Sequence, residues 1–160
     1  MGAVNPRAQR GFTLLELLIV MAVIGALLGT ATFAMGPDPE RQGRQTLTDL
    51  GARLSALREQ AVLLDSQYGI ALTDTRWQAM ALRDGAWAPM KPGGEIEAGL
   101  GWRLQVDGQS VLLSATPPGT PQLLALASDE LSGFELHLHR QGNDIGVLRS
   151  DGASDPELGP

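Results

Sequence analysis

One segment of the sequence limits the possible folds more than any other: the apolar run over residues 12–35, in which Glu16 is the sole ionisable side chain. As an α-helix these 24 residues would be about 36 Å long, enough to cross the roughly 30 Å hydrocarbon core of a bilayer. Arg7 and Arg10 precede the run and no cation follows it directly, which predicts a cytoplasmic N-terminus. The run therefore predicts a single-pass membrane helix.

Two ordinary explanations of the apolar run fit it less well. A secretory signal peptide has an apolar region of about 7–15 residues before a small-x-small cleavage site. This run is longer, although residues 31–34 imitate such a site. A plain membrane anchor has the right length but leaves Glu16 unexplained, because a carboxylate in hydrocarbon is costly and by default marks a functional position.

The start of the run carries a recognisable motif. Residues 10–17 read R-G-F-T-L-L-E-L, and they follow a short basic leader. This pattern resembles the class III signal of type IV pilins and type II secretion pseudopilins, in which glutamate is the fifth mature residue. The resemblance implies that residues 1–11 are a leader and that a prepilin peptidase cuts between Gly11 and Phe12. The peptidase would also methylate the new amine of Phe12, and the apolar helix would stay on the protein.

Removal of the leader would give Glu16 a role in assembly. Phe12 would then carry a cationic amine, and in a filament of staggered parallel helices a neighbour's Glu16 can pair with it inside a low-dielectric bundle. Because an unpaired buried charge is heavily penalised, such a pair fixes the stagger more than it adds stability. The alternative is an acid that is merely tolerated near the membrane edge. Gly25 and Gly29 could permit close helix packing or mark a flexible point.

A second, amphipathic helix is predicted after the apolar run, within residues 36–66. Pro37 and Pro39 predict a break, and Asp38 can cap the helix that follows. From residue 40 to residue 66, apolar side chains recur at steps of three and four, which places them on one face. A leucine zipper is the alternative, although the segment has fewer than three full heptads. The predicted buried stripe consists of Leu47, Leu50, Leu54, Leu57, Ala61 and Leu64.

Residues 67–150 have a strand-like pattern and predict a β-rich globular domain. Asp107-Gly108, between two alternating segments, gives the clearest hairpin signal. Residues 151–160 read as a loose tail. Together with the long N-terminal helix, this layout predicts an α+β, pilin-like fold in which the helix packs on an antiparallel sheet. The predicted strands are 68–73, 76–83, 100–106, 110–115, 122–127, 133–140 and 145–149.

Charge and cysteine content exclude several classes of function. The formal net charge is −6, and the part after residue 36 is more acidic still, with ten Lys/Arg against seventeen Asp/Glu. Because binding to nucleic acid depends on neutralising phosphates, general DNA binding is disfavoured. A local patch from Arg140 and Arg149 stays possible. The chain has no cysteine, so disulfides and thiolate metal sites are excluded.

Candidate metal ligands and catalytic groups are few. His137 and His139 form an H-x-H pair that would share one face of a strand, but alternation on a solvated face explains them equally. No triad or phosphate-loop motif appears, and we predict neither catalysis nor a cofactor. Asp129-Glu130 reads as a solvated corner. Asp144, Asp151 and Asp155 could supply oxygen ligands for calcium. Trp77, Trp87 and Trp102 could form a ligand platform, or they could be core or subunit-contact residues.

The last third of the chain carries a more diffuse resemblance. Residues 121–138, with Ser150-Asp-Gly152 after them, resemble the H-type minor pseudopilins (GspH). This implies a structural subunit of a type II secretion pseudopilus in the bacterial inner membrane, with its globular domain in the periplasm. The implied partners are the major and tip pseudopilins, the prepilin peptidase and the inner-membrane assembly platform. The alternative is a FimT/FimU-like minor pilin that primes type IV pili or binds DNA.

Overall fold

A computed structural model describes residues 13–33 and 38–159, with the side chains of residues 27–33 excepted. The chain divides after Pro37 into two compact units. The first contains helix α1 (Leu14–Phe33). Within the described part of the chain, no helix combines the length and the hydropathy that a membrane crossing needs. The predicted span 12–35 and the predicted break at 36–39 both extend onto residues outside the described ones.

The second unit begins with helix α2 (Pro39–Leu64), whose ends are set by local chemistry. Asp38 caps the N-terminus, since its carboxylate accepts a hydrogen bond from the backbone N–H of Glu40 at 3.0 Å. Pro39 occupies the first turn, where a missing N–H costs nothing. Asp65 ends the helix in the left-handed conformation, with φ 46°.

The predicted buried stripe of α2 is confirmed except at its end. Leu47, Leu50, Leu54, Leu57 and Ala61 are fully buried. The prediction that Leu64 is buried is wrong, because its side chain is 60% exposed. Val62 and Leu63 are exposed as well, so the last turn of α2 has no apolar cover within this unit.

The second unit also contains two antiparallel sheets, whereas the sequence predicted a single sheet. The four-stranded sheet has the order β3-β2-β1-β6, and the five-stranded sheet has the order β5-β4-β7-β8-β9. The strands are β1 Tyr68–Leu72, β2 Arg76–Arg83, β3 Ala86–Glu95, β4 Leu100–Val106, β5 Gln109–Val111, β6 Leu123–Ala125, β7 Phe134–Arg140, β8 Asn143–Ser150 and β9 Glu157–Gly159.

The predicted hairpin at Asp107-Gly108 is confirmed. Both turn residues have positive φ (49° and 77°), and Val106 pairs with Gln109. Asp84-Gly85 and Gln141-Gly142 make the same kind of two-residue turn. Turns with two left-handed residues match the twist of the flanking strands, which explains why Gly occupies the second position.

Two strands were missed by the sequence analysis. β3 lies in the stretch between the predicted strands 76–83 and 100–106. It contains Pro89 and Pro92, and an edge strand tolerates prolines whose missing N–H faces away from its neighbour. β9 lies in the stretch expected to be a loose tail, and Leu158 pairs there with Leu148. Other strand ends shift by a few residues: β5 and β6 are each three residues long and thus shorter than predicted.

The core lies between α2 and the inner faces of the sheets. Leu104, Leu136, Leu138 and Leu148 of the five-stranded sheet are buried against the α2 stripe. Close approach depends on Gly43, because a Cβ there would lie 2.6 Å from side-chain atoms of both Leu100 and Leu138. The fold is therefore a helix packed on antiparallel sheets, as predicted.

Candidate assembly site

Of the three residues predicted to act in processing and assembly, the structure describes only Glu16. Gly11 and Phe12 lie outside the described residues, so the cleavage and methylation positions stay predictions. Glu16 lies in the first turn of α1. Its geometry is therefore the part of the predicted site that the structure describes.

Glu16 takes part in a helix cap that the sequence analysis missed. Its backbone N–H donates to the hydroxyl oxygen of Thr13 at 3.3 Å and to the Thr13 carbonyl at 3.1 Å. Thr13 precedes the first helical residue, so Thr13 and Glu16 have the spacing of a capping box, and one of its two hydrogen bonds is present. An acid in the first turn is also favoured by the helix dipole. The T-x-x-E pattern of residues 13–16 was the signal available in the sequence.

The described apolar side chains around Glu16 are exposed. Residues 13–26 are all exposed, and Leu14 is 79% and Val20 48% exposed. These residues point in all directions around the helix axis, which leaves no polar face. A helix that is apolar all round is found buried, either in lipid or among other protein segments. The helix that bears Glu16 therefore has the composition of a segment that is covered by lipid or by other protein segments.

The histidine pair does not form a metal site. His137 Nδ1 lies 3.1 Å from Asp144 Oδ2, and His137 Nε2 lies 3.2 Å from Glu135 Oε2. A β-bulge follows Leu138, and the ring of His139 lies over Gly101 instead. Among the described residues, no three His, Asp or Glu side chains are arranged to hold a metal ion.

The fold separates Asp144 from the other two acids considered for calcium, since Asp151 lies beyond the opposite end of β8 and Asp155 lies 3.6 Å from Arg58. Asp144 lies at the start of β8 and is paired with Arg103 at 2.8 Å. Partial desolvation raises its pKa, but the hydrogen bond to His137 and the charge of Arg103 outweigh this and lower the pKa below its ordinary value of 3.8. Asp151 follows the other end of β8, and hydrogen bonds from the backbone of Ser154 and Ala153 lower its pKa.

Asp129 lies exposed in a turn, as the solvated-corner interpretation implied, but it is also paired with Arg58. Arg58 of α2 donates to both of its carboxylate oxygens, at 2.8 and 3.1 Å, and to the carbonyl of Ala153 at 2.8 Å. The hydrogen bond that Arg58 donates to the Asp129 carboxylate is the largest cause of the raised pKa of Arg58. Arg58 thereby joins α2, the loop after β6 and the segment before β9.

The remaining candidates have structural explanations. Trp77 and Trp102 are buried in the core, and Trp102 donates to the carbonyl of Thr73 at 2.6 Å, while Trp87 is half-buried. Arg140 is paired with Glu40, and Arg149 is paired with Glu135, each at 3.5 Å. These two arginines are therefore partly neutralised and do not form a free cationic patch.

Similarity to known sequences is consistent along almost the whole chain. Residues 6–32 match the family described as the prokaryotic N-terminal methylation motif. Type II secretion system protein H of Pseudomonas aeruginosa is 31% identical over 166 aligned positions, which cover 95% of this chain and 96% of that protein. The protein of the same name from Aeromonas hydrophila is 29% identical and covers 89% of this chain and 87% of its own length.

Solved structures share the fold at lower identity. The minor pseudopilin EpsH from the type II secretion system of Vibrio cholerae superposes with a TM-score of 0.63 at 20% identity, covering 76% of this chain and 95% of that one. Escherichia coli GspH superposes with a TM-score of 0.58 at 20% identity, covering 75% of this chain and 89% of that one. The arrangement of helix and sheets is thus one that minor pseudopilins have.

Proposed function

The chain belongs to the family of type II secretion system protein H, and we propose that it works as a minor pseudopilin, a non-catalytic subunit of the secretion pseudopilus. In this role it helps to export folded proteins across the outer membrane. As a pseudopilin it associates with other pseudopilins of the same system.

One observation carries this proposal: α1 is apolar on every side, is exposed, and bears a single acid in its first turn. The methylation motif over residues 6–32 includes most of that helix. A surface of this kind is stable in lipid before assembly and among other helices afterwards, because both surroundings cover apolar side chains. Movement of α1 from the membrane into a filament therefore needs no change in its own structure.

Processing would prepare the helix for this movement. We propose that the prepilin peptidase removes residues 1–11 by cutting between Gly11 and Phe12, and that it methylates the Phe12 amine. Residues 12–35 would hold the subunit in the inner membrane, with residues 67–150 in the periplasm. The inner-membrane assembly platform and the major and tip pseudopilins are the partners that this sequence of events requires.

Glu16 has two separable tasks in this proposal. Its backbone N–H completes a cap with the Thr13 hydroxyl, and its charge pairs with the Phe12 amine of a neighbouring subunit. The cap acts within one subunit, whereas the pair acts between two. Glutamine at N3 also suits a capping box, so the charge can be removed while the cap is retained.

The alternative, a minor pilin that primes type IV pili or binds DNA, gains no support from the described residues. A DNA-binding pilin needs exposed cations that can neutralise phosphates. The two arginines considered for that purpose, Arg140 and Arg149, are paired with Glu40 and Glu135.

Substitutions at Glu16 test the proposal. Glu16→Gln in a strain that carries the whole secretion system should give a processed, folded subunit whose incorporation into pseudopili falls about tenfold or more, because the charge pair is lost. Thr13→Ala is the matched control: it removes the cap, worth about 1 kcal/mol, and keeps the charge. Its incorporation should fall only slightly. Cross-linking of sheared pseudopili, followed by quantitative blotting, measures both.

The opposite ranking would contradict the charge-pair role. If Glu16→Gln assembles as wild type while Thr13→Ala does not, Glu16 acts through the cap alone. Normal secretion by both variants would remove Glu16 from the proposed site altogether.

A further inference from the structure

Three of the four sheet edges are closed within the chain. An open edge presents unpaired N–H and C=O groups, and proteins protect such edges with proline, charge or a covering segment. On β6, both the backbone N–H and the carbonyl of Leu124 are bonded to Ser132, at 2.9 Å each. On β3, Pro89 and Pro92 lack donors, and the carbonyl of Lys91 accepts from Arg53 of α2 at 3.1 Å.

β9 closes the third edge by other means. It is three residues long, carries the charge of Glu157 and lies against α2. Its neighbour Pro156 lies in van der Waals range of α2, since a Cβ on Gly51 would be 3.9 Å from the proline ring. Shortness and charge are the features that disfavour pairing of a further strand with β9.

β5 is as short as β9, but it carries neither a proline nor a charged residue. Val106 and Gln109 flank a two-residue turn and form a hydrogen-bonded pair, so the alternation of an antiparallel ladder turns the N–H and C=O of Ser110 away from β4. No charged residue occurs between Asp107 and Asp129. Beyond the strand, Leu112 is 95% exposed.

A cavity beside this edge indicates the chemistry of the missing neighbour. It has a volume of about 460 Å³, and its lining includes Trp102, Val111, Leu112 and Leu113 together with Arg103 and His137. In strand addition, main-chain hydrogen bonds supply affinity and pockets take alternate side chains of the added strand. The apolar wall of the cavity fits one apolar side chain of such a strand.

We propose that the β5 edge, Gln109 to Leu113, docks an extended, uncharged segment of another pseudopilin as an additional strand of the five-stranded sheet. The segment pairs with the backbone of Ser110 and places an apolar side chain against Leu112. This inference rests on the proposed function for the identity of the partner class. The β5 edge then supplies a specific contact in the globular domain, separate from the helix contacts of α1.

The absence of cysteine from the chain permits a clean cross-linking test. Leu112→Cys, labelled with a thiol-reactive photo-cross-linker in cells that carry the whole secretion system, should give an adduct that mass spectrometry identifies as another pseudopilin. Leu158→Cys is the matched control, since Leu158 is an exposed leucine on the opposite edge of the same sheet. It should give no such adduct.

Backbone pairing is tested by a second substitution in the Leu112→Cys chain. Ser110→Pro removes the outward N–H without removing a bond to β4, and it should lower the adduct yield about tenfold, whereas Ser110→Ala should leave it within about twofold. If Ser110→Pro lowers the thermal stability of the subunit, Leu112→Lys is used as the test variant in its place. A lysine there protects the edge and should lower secretion about tenfold, with Leu158→Lys unchanged.

Several outcomes would overturn the inference. These are no adduct at Leu112, an adduct with a second copy of this chain or with an exported protein, or equal adducts from the proline and alanine variants. If the subunit is still processed and secretion is normal in those experiments, the β5 inference fails and the proposed function stands. If the subunit is not processed, the proposed function fails independently of β5.

Discussion

The two helices of this protein are similar in length but opposite in how they are stabilised. α2 buries one stripe, and Leu47, Leu54 and Leu57 have no exposed surface. α1 exposes Leu14, Leu18 and the other large apolar side chains that are described as far as Ile24. Full burial of a leucine is worth about 1.5–3 kcal/mol, so α2 obtains its stability within the subunit, whereas α1 must obtain it from lipid or from other subunits.

This difference assigns the two helices to different levels of structure. α2 specifies the fold of one subunit, and its substitution should change the free energy of unfolding. In the proposed function α1 serves membrane insertion and assembly, and its substitution should change those while leaving the globular unit folded. Each of the following predictions breaks or sharpens this separation.

The largest expected effect comes from truncating a buried leucine of α2. Leu54→Ala should lower the free energy of unfolding by about 2–5 kcal/mol, because it leaves a cavity between the helix and the sheets. Leu18→Ala, at a position 60% exposed in α1, should change it by less than about 0.5 kcal/mol. Denaturant unfolding of the full chain in detergent, followed by the fluorescence of the buried tryptophans, measures both. Equal losses would show that the two helices do not differ in this way.

A pair of glycine substitutions should have intermediate effects of opposite sign. Gly43→Ala places a Cβ 2.6 Å from Leu100 and Leu138 and should destabilise the globular unit by about 1–3 kcal/mol. Gly25→Ala meets no atom within 4 Å and should stabilise isolated α1 by up to about 1 kcal/mol. Thermal unfolding of the first variant and helical circular dichroism of the second in detergent test this. A loss of assembly in Gly25→Ala would in addition favour close helix packing at Gly25.

The smallest effect concerns acid. The pKa values of Asp144 and Asp151 are lowered in the folded protein, so the stability that these groups contribute is present above their ordinary value of 3.8. It is lost as the pH falls below that value through the folded pKa. The Tm of Asp144→Asn should therefore fall less than that of the wild type between about pH 5 and pH 3. This difference should be smaller than the drop in Tm that Gly43→Ala causes at neutral pH. An unchanged acid profile would show that the pair with Arg103 and His137 contributes nothing to stability.

The features that followed from the sequence are those with a regular pattern. The stripe of α2 has helical spacing, and Asp107-Gly108 has turn chemistry that fits a hairpin. Both are local, so a short window of sequence contains the information. Leu64 continues the same spacing, but the prediction of its burial was wrong, because spacing does not reveal where the covering sheet ends.

The features that were missed depend on distant parts of the chain. Arg58 and Asp129 are 71 positions apart, and no local pattern relates them. β3 and β9 are edge strands with little burial, so their side chains lack the alternation that identifies a strand. The cap between Thr13 and Glu16 is an exception, because the local T-x-x-E spacing predicts it and only the charge of Glu16 was interpreted.

The mass of the mature chain tests the central claim most directly, since α1 can reach a filament only if the leader is removed ahead of Phe12. In cells that contain a prepilin peptidase, eleven of the 160 residues should be missing, a loss of about 1.1 kDa from 16.9 kDa, and one methyl group should be present on Phe12. Gly11→Leu should retain the full mass. A mature chain that still begins at Met1, or one cut after Ala34 so that α1 is lost, would contradict the account.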